Sequence, residues 1–282
     1  MPTKAVQQFM LGTVLGNENE ARQTLAAMKA AGYDGIELCG FMIHPIGFMV
    51  RLLTKAAGMP VGKGGNLDWH KLVKDADLQV VSLHTDLGSL ERDAKAVADE
   101  AKIFGTKYVV ITGMYRFDYA DKAAVQRLCR DLNTSGKILK EAGIELLYHN
   151  HNCEFLHVEQ QKTAYDLLLS ETDPEYVNFE LDSYWPTEAG VDALALMKKL
   201  DTRMKLYHIN DRGTRLLKPA MTPILKSDSM ELGCGNMNLD ALITQAKNVN
   251  VDAVILESHK NWVDNSPLRS LEISAQFLNA RI

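Results

Sequence analysis

What most constrains this chain is the alternation, from one end to the other, of short β-type runs with longer helical ones. The β-type runs are Gln8–Leu11, Gly35–Leu38, Val80–Leu83, Tyr108–Thr112, Ile144–Tyr148, Val177–Leu181, Lys205–Ile209 and Ala253–Glu257. Most are nearly continuous apolar runs rather than alternating ones, the pattern of strands buried on both faces of a parallel sheet. Helical periodicity covers Glu18–Ala31, Leu67–Asp75, Leu90–Phe104, Lys122–Ala142, Thr163–Leu169, Val191–Leu200, Leu239–Asn248 and Pro267–Ala280. Gly32, Gly105 and Gly143 stand where left-handed C-caps belong, and Asp121, Asn238 and Ser266 where N-caps belong. Eight βα pairs with no Pro/Gly-rich linker predict one α/β domain over residues 1–282, closed as a (β/α)8 TIM barrel. A doubly wound open sheet would want a Gly-x-Gly-x-x-Gly turn after its first strand, and Gly12-Thr13-Val14-Leu15-Gly16 is not one.

Composition narrows the partners. With 282 residues, 46% of them hydrophobic, and a net charge of −5, the chain is neither disordered nor equipped with a basic face for a phosphate backbone. Nucleic acid is therefore not an expected partner. Cys39, Cys129, Cys153 and Cys234 form no C-x-x-C pair and read as free thiols in a reducing compartment. No apolar stretch follows Met1-Pro2-Thr3-Lys4, and no run of about 18 uncharged apolar residues occurs, so a cytoplasmic protein with no membrane partner is expected. Two connections are long, residues 41–66 and 212–237. In a barrel both lie on the C-terminal face, where loops act as lids or substrate contacts. In the first, Phe41, Met42, Phe48 and Met49 read as a packing face in preference to an apolar lid.

Polar residues cluster at the ends of the strands. The second ends in Glu37, the third in His84-Thr85-Asp86, the fifth in His149-Asn150-His151, and the sixth in Glu180-Leu181-Asp182. The seventh ends in His208-Ile209-Asn210-Asp211 and the eighth in Glu257-Ser258-His259. A single His or Asp at a strand end is most often a satisfied hydrogen-bonding group. Metal-competent residues at the ends of four consecutive strands, five to eight, are a different matter, because carboxylates and imidazoles gathered from separate strands build divalent-metal sites.

With these motifs the chain resembles the xylose isomerase-like TIM barrels, the sugar phosphate isomerase/epimerase or AP endonuclease family 2-like superfamily. The resemblance runs over almost the whole chain. It is carried by Gly32-Tyr33-Asp34-Gly35-Ile36-Glu37-Leu38, Tyr148-His149-Asn150-His151 with Glu154-Phe155, Phe179-Glu180-Leu181-Asp182 with Trp185, and His208-Ile209-Asn210-Asp211. Glu231-Leu232-Gly233-Cys234-Gly235 and Leu256-Glu257 complete it. It implies one divalent ion, Mn, Mg, Zn or Co, held by Asp182, His208 and Glu257 and by a fourth residue where the family commonly has Glu. That fourth position falls on His149 if Asn150-His151 sets the alignment, or on Tyr148 if Glu154 does. Either way the paired glutamates of the family's keto-sugar epimerases are not both present. The DNA-repair branch of the superfamily assembles three zinc ions and presents a basic surface, and 8 His with a charge of −5 argue against it. Homo-oligomerisation is implied by the resemblance alone.

The chemistry follows from the residue types. A cation chelated by a substrate carbonyl and its neighbouring hydroxyl stabilises the enediolate left when the α-proton departs. Glu257 or the more peripheral Glu154 is the expected base, and His149, His151 or His84 the expected acid. Glu37, His84, Asn150, His151, Trp185, Asp211 and Arg212 are assigned to substrate. The leading expectation is a metal-dependent isomerase or epimerase of a sugar, keto-sugar or cyclitol. The alternatives are a dehydratase or lyase acting on an inosose or 3-keto-glycoside at the same metal site, and a non-catalytic sugar-binding or accessory subunit.

Overall fold

The computed structural model describes residues 1–45, 64–114, 116–216, 219, 222–258 and 260–282. Eight strands, β1 (Thr3–Gln7), β2 (Gly35–Cys39), β3 (Gln79–Thr85), β4 (Tyr108–Ile111), β5 (Glu145–His149), β6 (Val177–Asp182), β7 (Met204–Ile209) and β8 (Ala253–Leu256), pair in parallel and close into a barrel. Closure comes from β1, which bonds β2 on one side and β8 on the other. Helices α1 (Glu18–Ala31), α2 (Trp69–Asp75), α3 (Leu87–Ile103), α4 (Lys122–Glu141), α5 (Ala164–Glu171), α6 (Ala193–Leu200), α7 (Leu239–Asn248) and α8 (Pro267–Asn279) follow the strands in turn. Helix α1 packs on α2, α4 on α3 and α5, and α6 on α7, and α8 returns to α1. None of the helices among the described residues is long and apolar enough to cross a membrane.

One strand is displaced from its expected position. Gln8–Leu11 is a 3-10 turn, and the first strand is Thr3–Gln7. The Gln7 side chain accepts the Phe9 amide and ends the strand there. Met10 and Leu11 are buried all the same, and periodicity alone does not separate a short buried strand from a buried turn. The caps stand where the sequence puts them. Asp121, Asn238 and Ser266 accept amides of the first turns of α4, α7 and α8, and Gly32, Gly105 and Gly143 take φ of 102°, 73° and 79°.

Side-chain alternation sorts the strands into two cores. Ala5, Val81, Tyr108, Val110, Leu147, Leu206, Ala253 and Ile255 fill the barrel interior, while Leu146, Tyr148, Phe179, Leu181, Tyr207 and Ile209 pack outward under the helices. Continuing the inward parity toward the C-terminal ends brings His149, Glu180, Asp182 and His208 to the axis. In β3 the pairing passes from Ile36↔Val80 to Glu37↔Ser82, leaving Val81 unpaired. This bulge turns Ser82 and His84 inward beside Glu37.

Of the first long connection, residues 46–63, Phe48 and Met49 among them, lie outside the described residues, as does His259. Met42 is buried, while Phe41 is largely exposed, edge-on to the Phe9 ring. The second long connection opens with an antiparallel pair, Asp211–Gly213 against Asp228–Met230.

Candidate metal centre

At the C-terminal mouth β5, β6, β7 and the end of β8 deliver His149, Asp182, His208 and Glu257. Each offers one ligand atom, all of these atoms lie within 4.8 Å of one another, and all four residues are buried. His208 Nδ1 stands 2.7 Å from Glu257 Oε2, and His149 Nε2 stands 3.9 Å from the same oxygen.

The far side of each imidazole is held by a carboxylate. Glu180 Oε2 meets His149 Nδ1 at 3.0 Å, His84 Nε2 at 2.9 Å and His208 Nε2 at 3.2 Å. Glu37 Oε2 lies 2.7 Å from His208 Nε2 and accepts from Gln7 Nε2 at 2.8 Å. Its other oxygen accepts from Ser82 Oγ and lies 3.1 Å from His84 Nε2. With Glu180 beside Nδ1 of His149 and Glu37 beside Nε2 of His208, the opposite nitrogens face Glu257, and a bound cation replacing the proton on His208 Nδ1 would find lone pairs there. His84, His149, Glu180 and His208 also bring ligand atoms within 4.8 Å of one another, a second and overlapping group. The first group has an approach from solvent, because Asp182 lines a cavity at the mouth.

Electrostatics follow from packing four carboxylates against three imidazoles in a buried space. Burial alone would lower the His84 and His208 imidazoles. The charges of Glu37 and Glu180 outweigh it for both, pushing His84 up to about 10 and His208 well above the usual range. Burial would raise Glu180, but the charges of His208 and His84 and the bonds to His149 and His208 hold it well below the usual carboxylate range. Asp182 goes the other way. Burial, then the adjacent charge of Glu257, push its carboxyl well above the ordinary value. His149, Asp182, His208 and Glu257 together would hold a divalent cation, which would favour the ionised form of Asp182, and a donor set of two imidazoles and two carboxylates suits one.

Several expected contacts are spent inside the protein. Asn150 clasps the Asp182 backbone, accepting its N–H and donating to its carbonyl, both at 3.1 Å. Asp211 accepts four backbone amides, those of Arg212, Gly233, Gly235 and Met237, and so ties down the Glu231–Gly235 turn. Arg212 donates to Glu188. Glu154 belongs to neither ligand group. It is fully buried, with Oε1 accepting from Tyr148 and Oε2 from the His151 amide and the Cys153 thiol. His151 and Trp185 do stand at the mouth, their rings 5.3 Å apart, with His151 5.2 Å from His149. Glu37 is fully buried against His84 and His208, whereas His84, at 9%, is more exposed than any of the four ligand residues. Glu180 and Asn210 stand among the polar strand ends of the sequence without an assigned role, although the i, i+2 spacing from Asp182 and from His208 puts each on the same inward face.

Residues 25–281 match the sequence profile of the family described as xylose isomerase-like TIM barrel. An inosose dehydratase of Mesomycoplasma hyopneumoniae (strain 7448) is 30% identical over 207 residues, covering 70% of this chain and 64% of that enzyme's length, less than two thirds of it. A sugar phosphate isomerase/epimerase from Parabacteroides distasonis superposes with a TM-score of 0.77 over 99% of this chain and 94% of its own, at 23% identity. A xylose isomerase-like TIM barrel protein from Mycobacterium smegmatis, solved in complex with magnesium, superposes with a TM-score of 0.68 over 98% and 95% of the two chains, at 13% identity.

Proposed function

The chain belongs to the xylose isomerase-like TIM barrel family, and from that premise we propose that it is an enzyme holding one divalent cation through His149, Asp182, His208 and Glu257. Its substrate in this reading is a small sugar, keto-sugar or cyclitol, its first step is removal of a proton beside a carbonyl, and it works in the cytoplasm without nucleic acid or membrane. The observation that carries the reading is the buried ligand group of two imidazoles and two carboxylates, whose ligand atoms lie within 4.8 Å of one another. The relation to an inosose dehydratase supports it.

Bound there, a divalent ion supplies Lewis-acid polarisation of a carbonyl and its vicinal hydroxyl, for which Mn, Mg, Zn and Co all serve. The chain's own residues do the rest. Glu180 and Glu37 fix the orientation of His149 and His208, so that no reorganisation is needed when substrate arrives. Glu257 takes the α-proton, and the buried surroundings exclude water from it.

If that proton returns to carbon, the enzyme is an isomerase or epimerase. Loss of a β-hydroxyl makes it a dehydratase. A specific observation favours the second outcome. A two-carboxylate epimerase needs an acid on the opposite face, and both oxygens of Glu154 are occupied by Tyr148, the His151 amide and Cys153. His151, at the mouth against Trp185, gives a departing hydroxyl its proton.

The test is to incubate metal-loaded protein with inososes and keto-sugars in deuterated water, following C–H exchange by NMR and product mass by mass spectrometry. Exchange at the carbon beside the carbonyl is expected, with loss of one water for the preferred substrate. Absence of exchange for every substrate and every metal would refute the reading.

A further inference from the structure

Glu154 is a fully buried carboxylate that belongs to neither ligand group. Burying such a group is costly unless hydrogen bonds satisfy it, and the partners that satisfy it show what it holds. Glu154 Oε2 accepts the His151 amide at 2.9 Å, and Oε1 accepts the Tyr148 hydroxyl at 2.8 Å. Tyr148 Oη stands 2.8 Å from Tyr119 Oη, which accepts the Met114 amide at 3.0 Å. A hydroxyl has one proton to give, and Tyr148 gives its own to Glu154, so the proton between the two phenols is that of Tyr119. The chain of bonds therefore runs one way, from the Met114 N–H through Tyr119 and Tyr148 to Glu154. It ties the loop after β4 to the loop after β5 through side chains that are at most 2% exposed.

What this wall supports is His151. An ideal Cβ on Gly113, just beyond β4, would lie 3.4 Å from each of Glu154 Oε1, Tyr119 Oη and His151 Nδ1, so the three polar atoms stand around one point and the imidazole turns its Nδ1 edge to the wall. The ring is flanked by that of the candidate ligand His149 at 5.2 Å and by that of Trp185 at 5.3 Å. One residue earlier Asn150 clasps the Asp182 backbone, and Glu154 pins the next amide, so the chain from ligand to acid is held at successive residues. An acid that must meet a hydroxyl of a metal-bound substrate needs that fixed distance, since a misplacement of about 1 Å costs up to about a hundredfold in rate.

We propose that Glu154 is a positioning residue for His151, holding the imidazole between His149 and Trp185 with Nε2 toward the substrate. The proposal rests on the reading of His151 as the acid given above.

The test compares Glu154→Gln, which keeps the length of the side chain, with Glu154→Asp, which keeps the charge and withdraws the carboxylate by one methylene. Turnover of an inosose by the proteins loaded with magnesium or zinc gives kcat and KM for each, alone and in a His151→Asn background. Histidine-ring NMR of the same proteins, with the His151 signals identified by their loss in His151→Asn, reads the imidazole directly. In Glu154→Asp, kcat should fall roughly 10–100-fold with KM unchanged within about twofold, and the His151 signals should move while those of His84 stay. Glu154→Gln still offers an oxygen to the amide and should recover most of that loss. In the His151→Asn background neither substitution should lower kcat further. Glu154→Asp with wild-type kcat and unmoved His151 signals overturns the assignment. So does a Glu154→Gln more impaired than Glu154→Asp, because charge and not reach would then decide, and so do losses that multiply in the double variants. If the wild type turns over no inosose or keto-sugar, the reaction proposed above fails by itself. His151 signals that move in Glu154→Asp but not in Glu154→Gln then still establish the positioning, and signals alike in all three proteins overturn it.

Discussion

The carboxylate of Glu180 meets three imidazoles through one oxygen, at 2.9, 3.0 and 3.2 Å, while its other oxygen is buried without a partner among the described residues. Such a group acts through what it orients. Glu180→Gln keeps the shape and removes the charge that holds His149 Nε2 toward Asp182 and Glu257. Affinity for a divalent ion should fall roughly 10–100-fold, the usual cost of losing an outer carboxylate of this kind. Competition against a chromophoric chelator measures it, and an unchanged affinity would show that His149 is oriented by something else. Asp182→Asn separates the two roles of the cluster. An amide N–H of Asn takes the place of the proton that burial and Glu257 hold on the Asp182 carboxyl, so the metal-free protein should melt no lower than the wild type, yet metal binding should be lost. A metal-free variant that melts several degrees lower would mean that Asp182 serves chiefly to hold the fold.

Among the elements, what was legible in the sequence is what is local. Both periodicities, the caps at Asp121, Asn238 and Ser266 and the glycines after the helices depend on neighbours a few residues away, and the structure has them where the sequence puts them. The bulge at Val81 and the true first strand were not legible, since each is settled by a partner strand rather than by its own residues. The same holds for the mouth. That polar strand ends converge follows from parity, but Glu37 serves His208 across 171 residues of sequence, and no spacing rule reveals that it faces an imidazole instead of a substrate. Asp211 is the comparable case in a loop. Type and position suggest a substrate contact, whereas its four amide bonds make it the anchor of the Glu231–Gly235 turn. A Cβ on Gly235 would collide with Asp211 Oδ1 and lie 2.6 Å from the Arg212 carbonyl oxygen. Asp211→Ala should therefore cost about 2–4 kcal/mol in urea unfolding, from buried amides left without their acceptor. Gly235→Ala should destabilise as well, by forcing the turn off the carboxylate. If either variant unfolds at the wild-type urea concentration, the turn is held by other contacts.

For the whole molecule, the division of the barrel into two ends decides how metal binding and stability are linked. One end is plugged by Ala5, Val81, Tyr108, Val110, Leu147, Leu206, Ala253 and Ile255, a core that needs no ion. The other gathers buried Glu37, Glu180, Asp182 and Glu257 around His84, His149 and His208. A cation that binds only the folded chain stabilises it by about 2.7 kcal/mol at a hundred times its dissociation constant. For a chain of 282 residues that corresponds to a rise in melting temperature of roughly 4–5 °C. Chelation should therefore lower the melting temperature by that amount and leave the far-ultraviolet circular dichroism at 25 °C unchanged, because the apolar plug and the helical layer close the barrel by themselves. In Asp182→Asn the shift between metal-loaded and chelated protein should vanish. Loss of helical signal on chelation would mean that the ion completes the fold rather than the site. A wild type whose melting is indifferent to every divalent ion would remove the metal centre from the account and with it the route to proton abstraction.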